Sequence, residues 1–235
     1  MEQVGDADRV PPGLGRVLES AAELQRLVPD AVLVGGSAAA LHAGHRLSLD
    51  HDHVLSDLAE RYAEILDAVE ASDGWATSVR ASRPPMTILG SLDGVQAGLR
   101  QMRRTRPLET VRIDLGHGRT VTAPTAEECL RVKAYLVVQR NQVRDYVDVV
   151  ALAEHIGLDA AVRVLGGIDD YYDDRSGDHG SVLTSLVLAL AEPAPRDADV
   201  IPELSRYRGL VPRWQSWDAV VEAAGELSLR LVRSS

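Results

Sequence analysis

The sequence predicts an α/β protein: a small mixed sheet with flanking helices, followed by a helical subdomain. Short apolar runs bounded by Gly, Pro and Asp, typical of buried strands, fall before about residue 122. Beyond that point apolar residues recur at three- and four-residue steps, the spacing of amphipathic helices. A chain of 235 residues can bury a substantial core. We therefore predict a sheet-containing domain over residues 1–122 and a helical subdomain over 123–235.

The first half alternates helices and strands. Apolar residues at helical spacing predict a helix over 14–27, and the apolar run 31–34 predicts a buried strand. A short helix opened by Ser37 as its N-cap, and then a strand containing residues 50–52, should follow. The same patterns predict helices over 56–72 and 93–106 and strands over 75–80, 86–90 and 110–116.

The second half reads as helical throughout. Residues 125–128, Thr-Ala-Glu-Glu, fit a capping box, in which the first and last side chains satisfy free N–H groups at a helix start. The apolar periodicity then predicts helices over 125–139, 142–155, 158–166, 181–191 and 213–226.

Composition limits the classes of function. The net charge is −10, so the molecule as a whole does not attract nucleic acid, and any such contact needs a local basic patch. The single cysteine, Cys129, excludes an intramolecular disulfide and fits a reducing compartment. The sequence has neither an apolar stretch of about 18 residues nor a basic, then apolar, N-terminus. We expect a cytoplasmic protein without a membrane partner.

The most informative stretch runs from Gly35 to Asp52 and reads GGSAAALHAGHRLSLDHD. Its glycines let the backbone approach a ligand, and the helix start behind them directs N–H groups and a positive dipole end at an anion. Because side chains alternate along a strand, the carboxylates of Asp50 and Asp52 lie side by side. They repel each other unless a cation lies between them, and oxygen ligands suit Mg²⁺. Such a stretch suits nucleotidyl transfer from a triphosphate.

These residues also carry a resemblance. Gly-Ser, a spacer of about a dozen residues and Asp-x-Asp resemble the first motif of the DNA polymerase β-type nucleotidyltransferase superfamily. Gly35–Ser37 followed by residues 44–52, GHRLSLDHD, is closer still to the AbiEii-like nucleotidyltransferase toxins of bacterial toxin–antitoxin pairs. The resemblance covers about residues 31–155. It implies a polymerase β-like fold and a toxin, neutralised by a cognate antitoxin, that adds nucleotides to an RNA, with tRNA the leading acceptor.

Asp114 is the candidate for a third metal-binding carboxylate. It lies on the predicted strand 110–116, on the face opposite the apolar residues. In the superfamily that the chain resembles, a third carboxylate on an adjacent strand completes the metal site. The resemblance therefore implies that Asp50, Asp52 and Asp114 hold two Mg²⁺ ions. The alternative is an exposed strand residue paired with Arg112 or Arg119.

The same motif supplies groups expected to bind the triphosphate. Gly36 and Ser37 would hold it through backbone N–H groups and a hydroxyl. Ser48 lies two residues before Asp50, on the same strand face, and would lie near the phosphates. Arg46 would add positive charge.

A second group of candidates lies in the helical half. Lys133 is the only lysine among 25 basic residues, which suggests a site that requires a compact ammonium. A lysine on one helix and Arg-Asp-Tyr-x-Asp (144–148) on the next are similar to the AbiEii-like family, in which the lysine binds triphosphate. Lys133 would offset the charge of the leaving pyrophosphate. Asp145 would hold Lys133, bind the base or ribose, or position Arg144; the alternative is a helix-start ion pair.

Four histidines, at positions 42, 45, 51 and 53, crowd the motif and invite a zinc or phosphohydrolase interpretation. On a strand, His51 and His53 would face away from Asp50 and Asp52, so the four do not converge as a tetrahedral site requires. We therefore favour nucleotidyl transfer.

The sequence leaves the acceptor open. A basic run on the predicted helix 93–106, which contains arginines 100, 103, 104 and 106, favours contact with the phosphates of RNA or a triphosphate. It is also compatible with a solvated helix end. The net charge of −10 favours a smaller acceptor, such as a small molecule or a protein side chain. A non-catalytic nucleotide-binding module is a further alternative, although a binder has no need of the acidic residues.

Overall fold

The structure is a computed structural model that describes residue 11 and residues 13–172 and 180–234. The first ten residues of the predicted first domain and residues 173–179 lie outside it. The chain divides into two compact units. The first contains residues 1–41 and 48–125, and the second contains residues 42–47 and 126–235.

The first unit carries the strands. Its elements, in chain order, are α1 (Gly15–Leu27), β1 (Val32–Val34), α2 (Gly35–Ala43, whose last two residues are grouped with the second unit), β2 (Asp50–Leu55), α3 (Tyr62–Glu70), β3 (Trp75–Thr77), β4 (Thr87–Leu92), β5 (Val95–Gln101), β6 (Thr110–Gly116) and β7 (Arg119–Pro124).

Five of these strands form one mixed sheet, in the order β1-β2-β5-β4-β3. Strand β2 is parallel to β5, and the other neighbours are antiparallel. The remaining two strands, β6 and β7, form a separate antiparallel pair. The predicted mixed α/β class is therefore confirmed.

An apolar core covers one face of the five-stranded sheet. Leu24 of α1 and Ile65 and Val69 of α3 are buried in the same cluster as Ile88 of β4 and Leu99 of β5. The alternation of side chains along a strand places these sheet residues on the core face and leaves the opposite face for polar groups. This alternation determines which face of β2 can carry chemistry.

The predicted helix over 93–106 is wrong, because this segment is strand β5. Asp93 and Gly94 have φ values of 51° and 77°, the left-handed conformations of a two-residue hairpin turn that joins β4 to β5. Val95 and Leu99 are four residues apart, which suits a helix, but with Ala97 they also alternate as a strand requires. The Asp-Gly pair between two apolar segments is the feature of the sequence that favours a hairpin over a helix here.

Other boundaries also differ from the predictions. Helix α3 begins at Tyr62 rather than 56, because a turn precedes it. Strand β3 ends at Thr77 rather than 80, and strand β7 was not predicted. These errors lie at element ends and in short strands, where local propensity is weakest.

The second unit is helical. Its α-helices are α4 (Ala126–Arg140), α5 (Val143–Ile156), α6 (Leu158–Gly166), α7 (Val182–Ala191) and α8 (Trp217–Ser234), with 3₁₀ segments at Ile168–Tyr171, Ala198–Arg206 and Pro212–Gln215. All five α-helices were predicted, although α8 runs eight residues further than expected.

Candidate active site

The Gly-Ser segment forms an abrupt turn from strand to helix. Strand β1 ends at Val34, and α2 begins at Gly35, whose φ of 76° favours glycine. The predicted N-cap role of Ser37 is wrong, because the helix begins two residues earlier. The Ser37 hydroxyl instead donates a hydrogen bond to the backbone carbonyl of Asp50. This bond ties the start of α2 to the start of β2.

Asp50 and Asp52 lie on the same face of β2. Asp50 is exposed and Asp52 is half-buried, whereas the intervening His51 is 1% exposed. The buried Ser48 hydroxyl donates to Oδ1 of Asp50 over 2.9 Å. The carboxylate of Asp50 is thus oriented by its own chain before any ligand binds.

Asp52 leans toward the parallel neighbour β5, where it is paired in register with Gly98. A Cβ added at Gly98 would overlap Oδ1 of Asp52 and would come within 2.9 Å of a Leu89 methyl group. The same carboxylate oxygen accepts a hydrogen bond from Nε of Arg100 at 3.1 Å. Its other oxygen lies 3.7 Å from where a Cβ of Gly35 would be. Gly98 therefore makes room for this carboxylate, whereas a side chain at Gly35 would only come into ordinary contact with it.

Asp114 does not lie on a hydrogen-bonded neighbour of β2. It lies on β6, which pairs with β7 and not with the five-stranded sheet. Its Oδ1 accepts a hydrogen bond from the backbone N–H of Gly116 at 2.8 Å, at the irregular end of the strand. The expectation of a third carboxylate on an adjacent strand is therefore corrected, because that adjacent position belongs to β5. The alternative pairing with Arg112 or Arg119 is not found among the described residues either, and Arg119 instead pairs with Glu19 at 3.3 Å.

The donors fit one divalent ion better than two. Asp50 and Asp52 each keep one carboxylate oxygen without a hydrogen-bond partner in the described part of the chain, and hard oxygen donors suit Mg²⁺. Within residues 11, 13–172 and 180–234, no three His, Cys, Asp or Glu side chains are placed to hold a metal ion together. The pair is the candidate metal site.

The histidines of β2 face the core. His51 and His53 are 1% and 0% exposed, and their rings meet edge to face at 5.2 Å. His51 Nε2 is 3.0 Å from the Ser20 hydroxyl, whereas neither ring nitrogen of His53 has a hydrogen-bond partner among the described residues. Burial lowers the pKa of His51 to about 4 and holds that of His53 well below its ordinary value. Both are neutral core residues, so a zinc site with the aspartates is excluded by geometry.

A second polar group, which we call the Asp148 cluster, is buried in the second unit. The carboxylate of Asp148 contacts Nζ of Lys133 at 2.6 Å, Nε and Nη2 of Arg46 at 2.7 and 3.0 Å, and Nε2 of His45 at 2.7 Å. Lys133 is 2% exposed and Asp148 is fully buried. Lys133, Arg46 and His45 thus all contact the same carboxylate.

The basic side chains of this cluster act on its carboxylate. Burial alone would raise the pKa of Asp148, but the charges of Lys133 and Arg46 and the bonds from His45 and Arg46 hold it well below its usual range. The cluster therefore holds a lysine and an arginine in fixed positions around one carboxylate.

Asp145 does not hold Lys133, contrary to one of the predicted roles. It is fully buried and forms a two-bond ion pair with Arg140, with both N···O distances 2.6 Å. Arg144 is exposed on the first turn of α5. Because α5 rises 1.5 Å per residue and turns every 3.6, Asp145 and Asp148 lie on one side of the helix and Arg144 on another. The partner of Lys133 is Asp148, one turn further along.

Neither Arg104 nor Cys129 adds a further candidate site. Arg104 is 7% exposed and donates to the backbone carbonyls of Arg106 and Pro107, so it supports its loop. Burial raises the pKa of the Cys129 thiol to about 12, so it stays protonated and is not a nucleophile. A cleft of about 720 Å³ in the first unit lies beside α1, β6 and β7 and contains none of the predicted site residues.

Two residues of these groups, Asp148 and Gly98, were not selected from the sequence. Asp148 was visible as the last residue of the Arg-Asp-Tyr-x-Asp run, and its i, i+3 relation to Asp145 was the signal that both face one side of α5. Arg100 was selected only as part of the basic run, and Gly98 had no signal, because their segment was predicted as a helix.

The comparisons with solved structures agree on the fold. The chain is similar to MenT4, a nucleotidyltransferase toxin from Mycobacterium tuberculosis, with a TM-score of 0.58 and 19% identity over 93% of this chain and 84% of that one. It is also similar to JHP933 from Helicobacter pylori, with a TM-score of 0.50 and 15% identity over 95% and 94% of the two chains. The fold is therefore one that a nucleotidyltransferase toxin uses.

The curated sequences that the chain matches are several times its length. The chain is 30% identical over 217 residues to the heme uptake protein MmpL11 of Mycobacterium tuberculosis, covering 81% of this chain and 21% of that protein. For the probable transport protein MmpL11 of Mycobacterium leprae the identity is 27% over 243 residues, covering 81% and 24%. The chain thus spans about a fifth to a quarter of the length of these two relatives. No protein-family model matches it.

None of the helices described in the structure combines the length and apolar character needed to span a bilayer.

Proposed function

We propose that this chain is a metal-dependent nucleotidyltransferase that acts as a toxin and adds nucleotides to an RNA, with tRNA the first acceptor to test. The observation that carries the proposal is the Asp50–Asp52 pair on the open face of β2, tied to the Gly-Ser turn by the bond from Ser37 to Asp50. The similarity in fold to the MenT4 toxin supports the same class of reaction.

In the proposed reaction, an acceptor hydroxyl oxygen attacks the α-phosphorus of a nucleoside triphosphate. The new P–O bond forms as the bond to the β-phosphate oxygen breaks, pyrophosphate leaves, and the hydroxyl proton passes to water. Asp50 and Asp52 would hold a divalent ion, for which we propose Mg²⁺, and such an ion supplies Lewis acidity at the phosphate. Ser48 orients Asp50, while the N–H groups of the turn, including that of Gly36, bind phosphate oxygens.

The family resemblance supports a proposed role for Lys133 and Arg46 in binding the triphosphate. Lys133 and Arg46 are held by one carboxylate, so their geometry is fixed. Preorganised cations of this kind stabilise charge that develops on a leaving group. The family resemblance also supports Arg144, exposed on the first turn of α5, as a proposed contact of the nucleotide. Asp145 is fully buried and bonded to Arg140 through both oxygens, so we propose that it supports this helix start.

The test of this proposal combines a growth assay with labelled nucleotides. The wild-type chain should inhibit bacterial growth and transfer label from one of the four α-labelled triphosphates to RNA. Asp50→Ala should abolish both while leaving the circular dichroism spectrum and thermal unfolding unchanged, since Asp50 is exposed. Asp67→Ala, which removes an exposed carboxylate from α3, is the matched control and should behave as wild type.

The same assay distinguishes RNA from the other possible acceptors. Label that appears on a protein or a small molecule would replace the RNA acceptor, and triphosphate binding without any transfer would indicate a binding module. A cognate antitoxin is proposed as partner, and its coexpression should restore growth.

A further inference from the structure

We propose that the site holds a single divalent cation and that Arg100 supplies the second positive charge, as a ligand of the triphosphate. This inference rests on the proposed function, because it assigns the charges of the same site. It starts from the strand that lies beside Asp50 and Asp52.

The register of β5 determines which side chains face the aspartate pair. Asp50 pairs in register with Gln96 and Asp52 with Gly98, and Arg100 follows on the same face. Gln96 and Arg100 are exposed, and Arg100 reaches back to Asp52 at 3.1 Å. The strand next to the pair thus presents an amide, a glycine and a guanidinium, but no carboxylate.

The acidic residues elsewhere in the described chain do not complete the site. Asp114 lies on the separate β6–β7 pair and accepts a bond from its own turn. Asp145 and Asp148 are fully buried in ion pairs within the second unit. Two free carboxylate oxygens, one each from Asp50 and Asp52, can hold one hard cation with water or phosphate oxygens as further ligands.

Arg100 takes over the electrostatic role that a second cation would have. Its Nε–H donates to Oδ1 of Asp52, and neither of its Nη groups is bonded to another described residue. These groups carry four further N–H donors in a plane that matches phosphate oxygens. Arg100 is 45% exposed, so a polyanion can reach it.

The inference predicts two effects of opposite sign. In Arg100→Ala the competitor for Asp52 is lost, so the affinity for Mn²⁺, used as the probe, should rise about five-fold. The affinity for a non-hydrolysable triphosphate analogue should fall about ten-fold, because a charge-assisted bond is lost. Arg80→Ala, which removes another exposed arginine of the first unit, should change neither.

The number of ions is counted directly by equilibrium dialysis of the full chain against Mn²⁺ and the analogue. Wild type and Arg80→Ala should each bind one Mn²⁺ per chain. Two ions in wild type, no ion at all, or an unchanged analogue affinity in Arg100→Ala would overturn the proposal. None of these measurements needs turnover, so a chain that binds one ion and fails to transfer nucleotides would refute the proposed function alone.

Discussion

At the scale of single residues, the site depends on the absence of one side chain. Gly98 lies opposite Asp52 in the parallel β2–β5 pair, and its missing Cβ leaves room for the carboxylate that reaches Arg100. The Gly98 backbone is not in the left-handed region, so it needs glycine for space and not for conformation. The role of this glycine is therefore testable without straining the strand.

Gly98→Ala should cut nucleotide transfer about 100-fold, because displacing a catalytic group by about 1 Å is enough for such a loss. The free energy of unfolding should change by less than about 1 kcal/mol, since Asp52 is a side chain that can move. Single-turnover kinetics and urea unfolding measure the two effects. Gly225→Ala, where an added Cβ meets nothing within 4 Å, is the control. Full activity in Gly98→Ala would contradict the assigned position of Asp52.

At the scale of elements, the Asp148 cluster joins two helices to a short connecting segment. Lys133 lies on α4 and Asp148 on α5, while His45 and Arg46 belong to residues 42–47, which are grouped with these helices. A buried charge pair adds little stability by itself, but removing one partner leaves an uncompensated charge. The cost of each substitution should therefore depend on which charge is left behind.

Asp148→Asn should lower the free energy of unfolding by about 3–5 kcal/mol, because it leaves two cations without their counter-charge. Lys133→Met should cost less, since Arg46 and His45 still hold Asp148. Urea unfolding of the two variants and the double variant measures the order and the coupling. Asp159→Asn, which breaks an exposed pair with Arg230, should cost at most about 1 kcal/mol. A larger loss for Lys133→Met than for Asp148→Asn would refute the central position of Asp148.

Strand β2 shows how one element can serve two environments. Its alternation places two carboxylates on the open face and two imidazoles in the core. The burial that suits neutral histidines is unfavourable to their charged forms. The core face of β2 should therefore become less stable at acidic pH, when histidines tend to take up protons.

At the scale of the whole molecule, this burial predicts how stability depends on pH. The unfolded chain binds protons on His51 near pH 6.5, whereas the folded chain binds them only near pH 4. Stability is therefore complete above pH 6.5 and falls as the pH drops toward 4. For His51 the loss at pH 5 is about 2 kcal/mol, and His53 adds to it in the same direction.

Urea unfolding between pH 8 and 4.5 should show this decline, and His53→Leu should reduce it. Relative to wild type, the free energy of unfolding of His53→Leu should be more favourable at pH 5 than at pH 7. The reason is that the unfolded variant has no histidine at this position to take up a proton. His155→Leu, a change at an exposed position of α5, is the control and should keep the slope of wild type. An equal slope in wild type and His53→Leu would contradict the prediction.

The architecture was largely readable from local patterns. The apolar run before Gly35, the helical periodicity after 125 and the alternation of residues 110–116 each predicted its element. The error at 93–106 arose because Val95 and Leu99 satisfy both helical and strand spacing. Only pairing with β4, through the Asp93-Gly94 turn, decides between them.

The sequence by itself determined the fold class, the Gly-Ser turn and the shared face of Asp50 and Asp52, because these follow from spacing along a single strand and helix. The tertiary structure decided what lies beside them: Arg100 and Gly98 on the adjacent strand, Asp114 on a separate sheet, and Asp148 as the partner of Lys133. The physical reason is that strand order, register and helix packing depend on burial of the whole core, which no local pattern encodes.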